Sequence, residues 1–319
     1  MTKYVLTGAT GGLGSQTLLF LLHLVPASDI IVSLHNPAGA SPTIVSSGVE
    51  VRKGDYADPA SLRTAFAGAD KLFLVSYPSI AHELRVRMHK NAIDAATAVG
   101  IKHVYYTSLA FGFGAQRALV PPGEQESVAE VMQAHLDTEA YLKQSGLTYT
   151  IIREGIYSES YPLYFGFWSA SESSDEVVVP HGDGGIAWVN RPDLGEGTAR
   201  IIAAESGYEN RTLLLSGTRI ITLSALASTI SALLNRPVRL KVVSEDEYVA
   251  AHTGRPGPRG EADFLRKWAT TYRALVRGEC AVADPTLKEI LGREPTPFDE
   301  TVREMLGVGG EGAVEQYAK

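Results

Sequence analysis

The sequence predicts an α/β protein with a doubly wound parallel sheet, followed by a smaller α/β domain. Three observations lead to this fold class. An apolar run precedes a glycine-rich turn near the start, β-rich and helical runs alternate through the first half, and the pattern changes after Arg153. We therefore expect a first domain over residues 1–154 and a second over residues 155–319, with residues 186–218 returning to the first sheet.

Six short β-rich runs supply the expected strands of the first domain. They cover residues 3–6, 30–34, 49–54, 71–76, 103–107 and 149–153. Runs such as DIIVSL and KLFLVS are almost continuously apolar, as expected of strands that are buried on both faces of a parallel sheet.

Helices are expected between these strands. Asp58 followed by Pro59 is typical of a capped helix start, and a further helix is expected from about residue 124 to residue 145. Residues 158–185 are rich in aromatic residues, Ser and Gly and have no clear helical period, so we interpret them as loops on the substrate side of the second domain.

Composition excludes several classes of function. The net charge is −7 and no basic run occurs, which argues against a nucleic-acid partner. The most apolar run, residues 17–25, is too short to span a bilayer, so no membrane association is expected. Cys280 is the only cysteine, so there is no intramolecular disulfide, no metal site is expected, and a reducing, cytoplasmic setting fits best.

The turn TGATGGLG has the spacing of a dinucleotide-binding loop. Gly8, Gly11 and Gly14 fit G-x-x-G-x-x-G between a predicted strand and a predicted helix. In Rossmann folds such glycines form the tight turn, let the backbone approach a pyrophosphate, and allow close packing of helix on strand. The helix N-terminus then faces the phosphates. A glycine-rich turn that binds nothing is the alternative, but strand, turn, helix and second strand all fall where a Rossmann domain requires them.

The end of the second strand decides between NAD and NADP. A carboxylate there would bind the ribose diol of NAD, whereas Ser33, Leu34, His35 and Asn36 stand at this point. His35 and Asn36 can donate hydrogen bonds to the 2′-phosphate of NADP. NADP (NADPH) is therefore favoured over NAD, with an ordinary loop histidine as the alternative interpretation of His35.

Four stretches resemble one family. They are TGATGGLG, GVEVRKGDYADPASLRTAFAGADKLFLVS, HVYYTSLAF and HLDTEAYLKQSGLTYTIIREGIYSES. Together they are similar to the NmrA-like family of atypical short-chain dehydrogenases/reductases, and most of all to its quinone oxidoreductase and triphenylmethane reductase branch. The resemblance is dense in the first half and loose in the second. It implies an NAD(P)-binding Rossmann domain, a small substrate domain and a ligand cleft between them.

The resemblance also implies site residues. The phosphate loop would comprise Gly8, Thr10, Gly11, Gly12, Leu13 and Gly14. His35 stands where relatives usually carry Arg, followed as here by Asn36. Asp55 and Tyr56 would contact the adenine side, and Val75, Ser76 and Tyr77 the nicotinamide ribose. Thr107 and Ser108 close the fifth strand at its carboxyl end, where open α/β sheets bind ligands.

The usual acid–base pair of short-chain dehydrogenases is missing. None of the 14 tyrosines is followed by Lys four residues later. His135 falls on the inward stripe of its predicted helix with Val131, Thr138 and Leu142, and it matches the position of a Lys in isoflavone-reductase-like relatives. We expect His135 to be the catalytic residue; an interior histidine that only packs is the alternative.

An aromatic cluster follows the sixth strand. Flat conjugated substrates stack on such rings, although the same residues would also serve as the core of the second domain. The expected substrate-binding residues are Phe111, Ile156, Tyr157, Tyr161, Tyr164, Phe167 and Trp168, with Phe165 in the same cluster.

These features predict an NAD(P)H-dependent oxidoreductase. It would transfer a hydride to a flat conjugated substrate, such as a quinone, enone, aromatic ketone or imine, and act as a monomer or homodimer. Two alternatives stay open. Because the Tyr and Lys pair is missing, the chain could be a non-catalytic, NADP-sensing regulator of the NmrA type, or it could be a biosynthetic tailoring enzyme of the same fold.

Overall fold

A computed structural model describes residues 2–112, 126–171 and 174–307. Its strands, in chain order, are β1 (Tyr4–Leu6), β2 (Ile30–Leu34), β3 (Glu50–Lys53), β4 (Lys71–Leu74), β5 (His103–Leu109), β6 (Thr148–Glu154), β7 (Glu176–Pro180), β8 (Gly185–Ile186), β9 (Arg211–Leu215), β10 (Ile221–Thr222) and β11 (Arg239–Val243). The helices are α1 (Gly12–Leu21), α2 (Pro42–Ser47), α3 (Pro59–Phe66), α4 (His82–Val99), α5 (Glu130–Gln144), α6 (Tyr161–Tyr164), α7 (Arg191–Ala203), α8 (Leu223–Leu234), α9 (Glu245–His252), α10 (Ala262–Val276), α11 (Thr286–Leu291) and α12 (Phe298–Gly307).

Seven strands form one parallel sheet in the order β3-β2-β1-β4-β5-β6-β9. The chain moves outward from β1 to β3 and then crosses back to β4, so the direction of winding reverses between β1 and β4. Ligands of doubly wound folds bind at this reversal, beyond the carboxyl ends of the strands. The predicted fold class, a Rossmann-type parallel sheet, is confirmed.

Helices cover both faces of the sheet. Leu13 and Leu18 of α1 share one buried cluster with Leu194 of α7 and the inner residues of β1 and β2. On the other face, residues of α3, α4 and α5 pack on β1, β4 and β5. Neighbouring strand residues point to opposite faces, so Tyr105 belongs to the first cluster and Tyr106 to the second.

Local sequence accounts for two helix starts, including the one predicted at Asp58. The Asp58 carboxylate accepts hydrogen bonds from the backbone N–H groups of Ala60 and Ser61 at the start of α3. At the start of α7, the Asn190 side chain accepts from the N–H of Asp193. These caps fix the residue at which each helix begins.

The predicted start of the fifth helix is wrong. Residues 124 and 125 lie outside the described residues, and residues 126–129 are not helical, so α5 begins at Glu130. Glu279 accounts for the difference, because its carboxylate accepts hydrogen bonds from the Ser127 hydroxyl and the Val128 N–H. These groups therefore bind a side chain from a distant segment instead of starting the helix.

The interpretation of residues 158–185 as loops is also wrong in part. This segment contains α6, β7 and β8. Strand β7 pairs in parallel with β11, and β8 pairs with β10 in antiparallel fashion. Pairing with segments more than 30 residues away stabilises these strands, which is why their local composition did not reveal them.

The second half contributes to both parts of the molecule. A separate apolar cluster is built from β7 and α8 to α10, with the aromatic residues of α6 at its centre. In contrast, β9 extends the first sheet next to β6, and α7 packs along α1. The division at residue 154 stays a prediction.

Candidate functional site

The glycine loop joins β1 to α1 at the carboxyl edge of the sheet. Gly8 has φ of +64°, and a Cβ there would lie 2.7 Å from Cβ of Val75. A Cβ on Gly14 would overlap the carbonyl oxygen of Gly8. Both positions therefore need glycine, the first for backbone conformation and close packing and the second for close packing alone.

The loop leaves the start of α1 open. The N-cap residue Gly11 has no side chain to cap the helix, and the first turn contains no acidic residue. Unpaired N–H groups at a helix start, together with the positive end of the helix dipole, favour an anion. Thr10 and Gly11 are exposed, Gly12 is half-buried and Leu13 is buried. The loop therefore exposes its backbone at Thr10 and Gly11, while the Leu13 side chain packs in the interior.

His35 and Asp55 follow the ends of β2 and β3. The Nδ1 atom of His35 lies 3.3 Å from a carboxylate oxygen of Asp55, and 78% of the histidine side chain is exposed. The Asn36 side chain accepts a hydrogen bond from the N–H of Ala38. His35, Asn36 and Asp55 therefore lie close together at this edge of the sheet, with His35 paired to a carboxylate; their contacts with a cofactor stay a prediction.

Tyr56 fastens the end of β4 to the end of β1. Its hydroxyl lies 2.8 Å from the Thr7 hydroxyl and donates to the carbonyl oxygen of Val75 over 2.6 Å. The Thr7 hydroxyl in turn accepts from the N–H of Val75. Tyr56 thus positions Val75 against the glycine loop, and burial raises the pKa of the Tyr56 hydroxyl.

His89 holds the backbone just beyond β4. The N–H of Tyr77 donates to Nε2 of His89 over 2.8 Å, so this nitrogen must be unprotonated. The proton of the neutral ring therefore sits on Nδ1, which lies 2.8 Å from the hydroxyl of Thr138 on α5. The Thr138 hydroxyl donates a hydrogen bond to the carbonyl oxygen of Ala134 and is therefore free to accept one from His89. Burial lowers the pKa of His89 to about 3, with a further contribution from positively charged Arg85.

His135 lies beside this network. It is 3% exposed, and its Nδ1 atom is 2.9 Å from the hydroxyl oxygen of Tyr106. Burial raises the pKa of Tyr106, so the phenol stays protonated. Because Nδ1 of His89, 3.4 Å away, already carries a proton, Nδ1 of His135 is the ring nitrogen to which the Tyr106 hydroxyl can donate a hydrogen bond. The neutral His135 ring then carries its proton on Nε2, an atom without a hydrogen-bond partner among the described residues.

Burial keeps His135 neutral. It lowers the pKa of the ring well below the usual range, and the positive charges of Arg85 and Arg153 lower it further. The guanidinium of Arg85 donates to the Ser76 hydroxyl from Nε over 3.1 Å and from Nη2 over 2.7 Å. Ser76 therefore connects a cation to the histidine network, while its own N–H donates to the Thr107 hydroxyl.

Ser108 takes part in a different set of contacts. Its hydroxyl donates to Glu139 over 2.6 Å, and Glu139 also binds the guanidinium of Arg153 through two hydrogen bonds of 2.8 Å. All three side chains are buried. This ion pair braces α5 against β5 and β6, and the Ser108 hydroxyl is committed to it.

Most of the expected substrate-binding residues lie in the core of the second half. Buried in one cluster are Phe111, Ile156, Tyr161, Tyr164, Phe165, Phe167 and Trp168. Tyr164 packs on Trp188 and Trp268, with ring centroids 5.8 and 5.5 Å apart. Tyr157 differs because it is half-buried, and the guanidinium carbon of Arg191 lies 5.2 Å from its ring centroid.

The described part of the chain has neither a candidate metal cluster nor a candidate membrane-spanning helix. Within residues 2–112, 126–171 and 174–307, no group of three or more His, Cys, Asp or Glu side chains could hold a metal ion. In the same part of the chain, no helix is both long and apolar enough to cross a membrane.

Three residues at this edge were not predicted from sequence. His89 and Arg85 belong to α4, and their partners lie on other elements. Arg191 is the first residue of α7, and a Cβ placed on Gly12 would lie 2.9 Å from both Cδ and Nε of Arg191. The sequence NRPD around Arg191 is typical of a helix start and gives no sign of the contact with the glycine loop.

The edge has the features that a bound dinucleotide needs. An uncapped helix start follows a turn in which two glycines allow close backbone approach, and it lies at the winding reversal of a parallel sheet. Donor groups stand at the end of β2, and the histidine network lies beyond β4 and β5. Nothing in this set of residues conflicts with a nicotinamide dinucleotide.

Comparison with known proteins agrees with this geometry. The model of a family described as NAD(P)H-binding matches residues 8–179. The NmrA-like family domain-containing oxidoreductase flvB of Aspergillus flavus is 37% identical over 311 residues, covering 95% of each chain. Quinone oxidoreductase 2 of Escherichia coli is 32% identical over 303 residues, covering 95% of this chain and 98% of the relative.

Solved structures give the same result. Triphenylmethane reductase of Citrobacter sp., in complex with NADP(H), superposes with a TM-score of 0.78 at 32% identity, covering 95% of this chain and 99% of that one. Quinone oxidoreductase 2 of Escherichia coli in complex with NADPH superposes with a TM-score of 0.80 at 31% identity, with the same coverage. The chain therefore belongs to the NAD(P)H-binding family, within the NmrA-like branch that contains quinone oxidoreductase 2 and triphenylmethane reductase.

Proposed function

We propose that this protein is an NADPH-dependent reductase that transfers a hydride to a flat conjugated acceptor, with quinones as the leading class. The observation that carries the proposal is that the glycine loop and the histidine network meet the chain just beyond β4, where Gly8 packs on Val75 and His89, whose ring neighbours that of His135, accepts from the N–H of Tyr77. Relatives named quinone oxidoreductase and azoreductase support the same chemistry.

The cofactor would lie along the carboxyl edge of the sheet. Backbone of the glycine loop would bind the pyrophosphate. His35 and Asn36 would bind the 2′-phosphate, with Asp55 and Tyr56 on the adenine side. Nearer the nicotinamide, the predicted contacts are Val75, Ser76, Tyr77, Thr107 and Ser108. Because the Ser108 hydroxyl already donates to Glu139, its contact with the cofactor would be through backbone.

Bound NADPH supplies the hydride, and one proton must also reach a quinone for it to become a hydroquinone. His135 would donate a hydrogen bond from Nε2 to the acceptor oxygen, where negative charge develops. Its lowered pKa means that it donates as a neutral ring, as a histidine with a depressed pKa can. Arg85 adds positive charge nearby, and solvent completes the protonation.

Substrate would enter from the second half of the chain, which we propose is the substrate-binding domain of residues 155–319. Tyr157 is the candidate for direct stacking because its ring is half-buried and lies near Arg191. The buried rings of the predicted set would form the inner wall of the pocket.

Structures of NmrA, a negative transcriptional regulator, are 17% identical to this chain and share its fold alone.

The test is oxidation of NADPH by the purified protein with a panel of quinones, enones, aromatic ketones and imines. We expect quinones to be reduced fastest and NADPH to be preferred to NADH. Equilibrium binding of NADPH should be measured in parallel. Tight binding without turnover on any member of the panel would favour a sensing role and contradict the proposal.

A further inference from the structure

We infer that Arg191 is a cofactor-binding residue, whose guanidinium binds the pyrophosphate of the dinucleotide against the start of α1. The inference rests on the proposed function, in which the glycine loop holds that pyrophosphate. Arg191 lies beyond the residues that the family model matches, since the match ends at residue 179. It would complete the phosphate site from the opposite side of the loop.

Position is the first argument. A Cβ on Gly12 would lie 2.9 Å from Cδ and Nε of Arg191 and 3.2 Å from Cζ. The guanidinium thus packs on the first residue of α1. Its backbone is fixed there, because the N–H of Arg191 donates to the Glu159 carboxylate and Asn190 caps α7. Further along, α7 packs on α1 so closely that a Cβ on Gly195 would overlap the Gln16 side chain.

Charge is the second argument. A cation at a helix N-terminus is repelled by the positive end of the helix dipole, and anions are preferred there. In α1 the first turn has no acidic residue and the N-cap has no side-chain cap. Arg191 therefore adds positive charge where the helix already has it. The face of the Tyr157 ring lies 5.2 Å from the guanidinium carbon and interacts favourably with its charge. A pyrophosphate bound between the guanidinium and the helix N–H groups would accept hydrogen bonds from both.

Gly12, the glycine of the loop that lies outside the repeating pattern, supports this role. Gly8, Gly11 and Gly14 account for the repeating pattern, but Gly12 lies outside it. In the structure Gly12 is where Arg191 approaches, and any side chain would displace the guanidinium. The sequence GG within TGATGGLG is thus explained by a residue of α7.

The chemistry selects the pyrophosphate over the 2′-phosphate. Arginine presents two parallel N–H donors that match phosphate oxygens. His35, the candidate for the 2′-phosphate, stands beyond β2 and pairs with Asp55, whereas Arg191 contacts the loop after β1. Since NADPH and NADH share the pyrophosphate, Arg191 should affect both cofactors equally.

The experiment is calorimetric binding of NADPH and NADH to the wild type, Arg191→Met and Arg191→Lys. For Arg191→Met we expect Kd to rise about ten- to a hundredfold for both cofactors, the loss typical of charge-assisted hydrogen bonds. Arg191→Lys should recover part of the affinity. Arg200→Met is the matched control, because Arg200 lies on the same helix and binds Glu196 at the surface; its Kd values should equal those of the wild type.

Thermal unfolding without cofactor separates binding from packing. Arg191→Met should remain folded at the temperature of the binding measurements, so that a rise in Kd reports the loss of phosphate contacts. A lower unfolding temperature with unchanged Kd values would assign Arg191 to packing and overturn the inference. A loss confined to NADPH would also overturn it, by placing Arg191 at the 2′-phosphate. If the wild type bound neither cofactor, the proposed function would fail as well.

Discussion

The hydroxyl oxygen of Tyr106 lies 2.9 Å from Nδ1 of His135, and with the hydroxyl as donor this contact leaves the histidine proton on Nε2. Tyr106 points from the middle of the sheet towards α5, whereas His135 points from α5 towards the sheet. The strand and the helix therefore cooperate to present Nε2–H, the group on which the proposed hydrogen bond to substrate depends.

Replacing His135 with Ala tests its role in turnover. We expect kcat for quinone reduction to fall about tenfold to a hundredfold, because hydrogen bonding to the developing charge is lost, while Kd for NADPH stays within about twofold. His82→Ala is the control, since His82 pairs with Asp137 at the surface. An unchanged kcat in His135→Ala would assign His135 to packing.

Tyr106→Phe tests the positioning of that histidine. Without the donor, Nδ1 of His135 loses its partner and the ring can adopt the other tautomer, so kcat should fall about tenfold. The nitrogen spectrum of the His135 ring should show protonated Nε2 in the wild type and a mixture in the variant. Tyr105→Phe, on the opposite face of β5, should leave both readings unchanged. A single tautomer in Tyr106→Phe would refute this role.

His35 tests the choice of cofactor. Its ring lies 3.3 Å from the Asp55 carboxylate, which competes with a phosphate for the same donor. His35→Ala should weaken NADPH binding about fivefold and leave NADH binding unchanged. His35→Arg should strengthen NADPH binding about tenfold, because a guanidinium is permanently charged and binds phosphate through two donors. Calorimetry measures both; equal loss of both cofactors in His35→Ala would remove His35 from phosphate recognition.

The cofactor loop could be predicted from sequence because its determinants are local. Strand, glycines and helix follow one another within the first 21 residues, and the positive φ of Gly8 and the contact of Gly14 with the Gly8 carbonyl both lie inside this segment. Only the contact of Gly8 with Val75 depends on the fold. Arg191 could not be predicted, because it reaches Gly12 only through the packing of α7 on α1. Its position in the chain gives no sign of that contact.

The histidines show that helical spacing alone does not predict which polar side chains are buried. His135 was predicted from helical spacing, which does report an inward face. His89 shares a face with His82 in the helical pattern, yet His89 is buried against Tyr77 and Thr138 whereas His82 is exposed. Burial of a polar residue depends on which elements cover it, and this information is absent from the helix itself.

The aromatic segment shows that composition alone does not distinguish a substrate pocket from a hydrophobic core. A run containing YPLYFGFW suits a substrate pocket and a core equally, because both are built from packed rings. The structure places Trp168 and Phe165 in the interior of the second half, each at most 1% exposed, while Tyr157 stays half-buried. Degree of burial differs among these rings because residues of several elements, distant in the chain, cover them.

Glu154 makes the stability of the fold depend on pH. It lies at the end of β6 with 0% exposure, and one oxygen accepts a hydrogen bond from Thr198 over 3.0 Å. The other oxygen has no hydrogen-bond partner within the described residues. Burial raises the pKa of this carboxyl from 4.5 to about 8. At neutral pH the folded protein therefore holds a proton that the unfolded chain has released.

Glu154 lowers the free energy of unfolding as pH rises. A raised folded-state pKa contributes stability that is complete below the unfolded value of 4.5 and is lost as pH rises to about 8. Across this window the free energy of unfolding should fall by at most about 1.4 kcal/mol per pH unit from this group. Glu154→Gln keeps the shape and the hydrogen bond but cannot ionise, so it should become progressively more stable than the wild type between those values and keep a constant advantage above about pH 8.

Urea unfolding from about pH 5 to about pH 9 measures the difference. Buried histidines such as His103, whose pKa is lowered to about 4 by burial, lose stability in the opposite direction, as pH falls. They act equally in both proteins and cancel in the comparison. Glu289→Gln, at an exposed position of α11, controls for the loss of a surface charge. A difference between Glu154→Gln and wild type that does not change with pH would show that Glu154 is ionised in the folded protein.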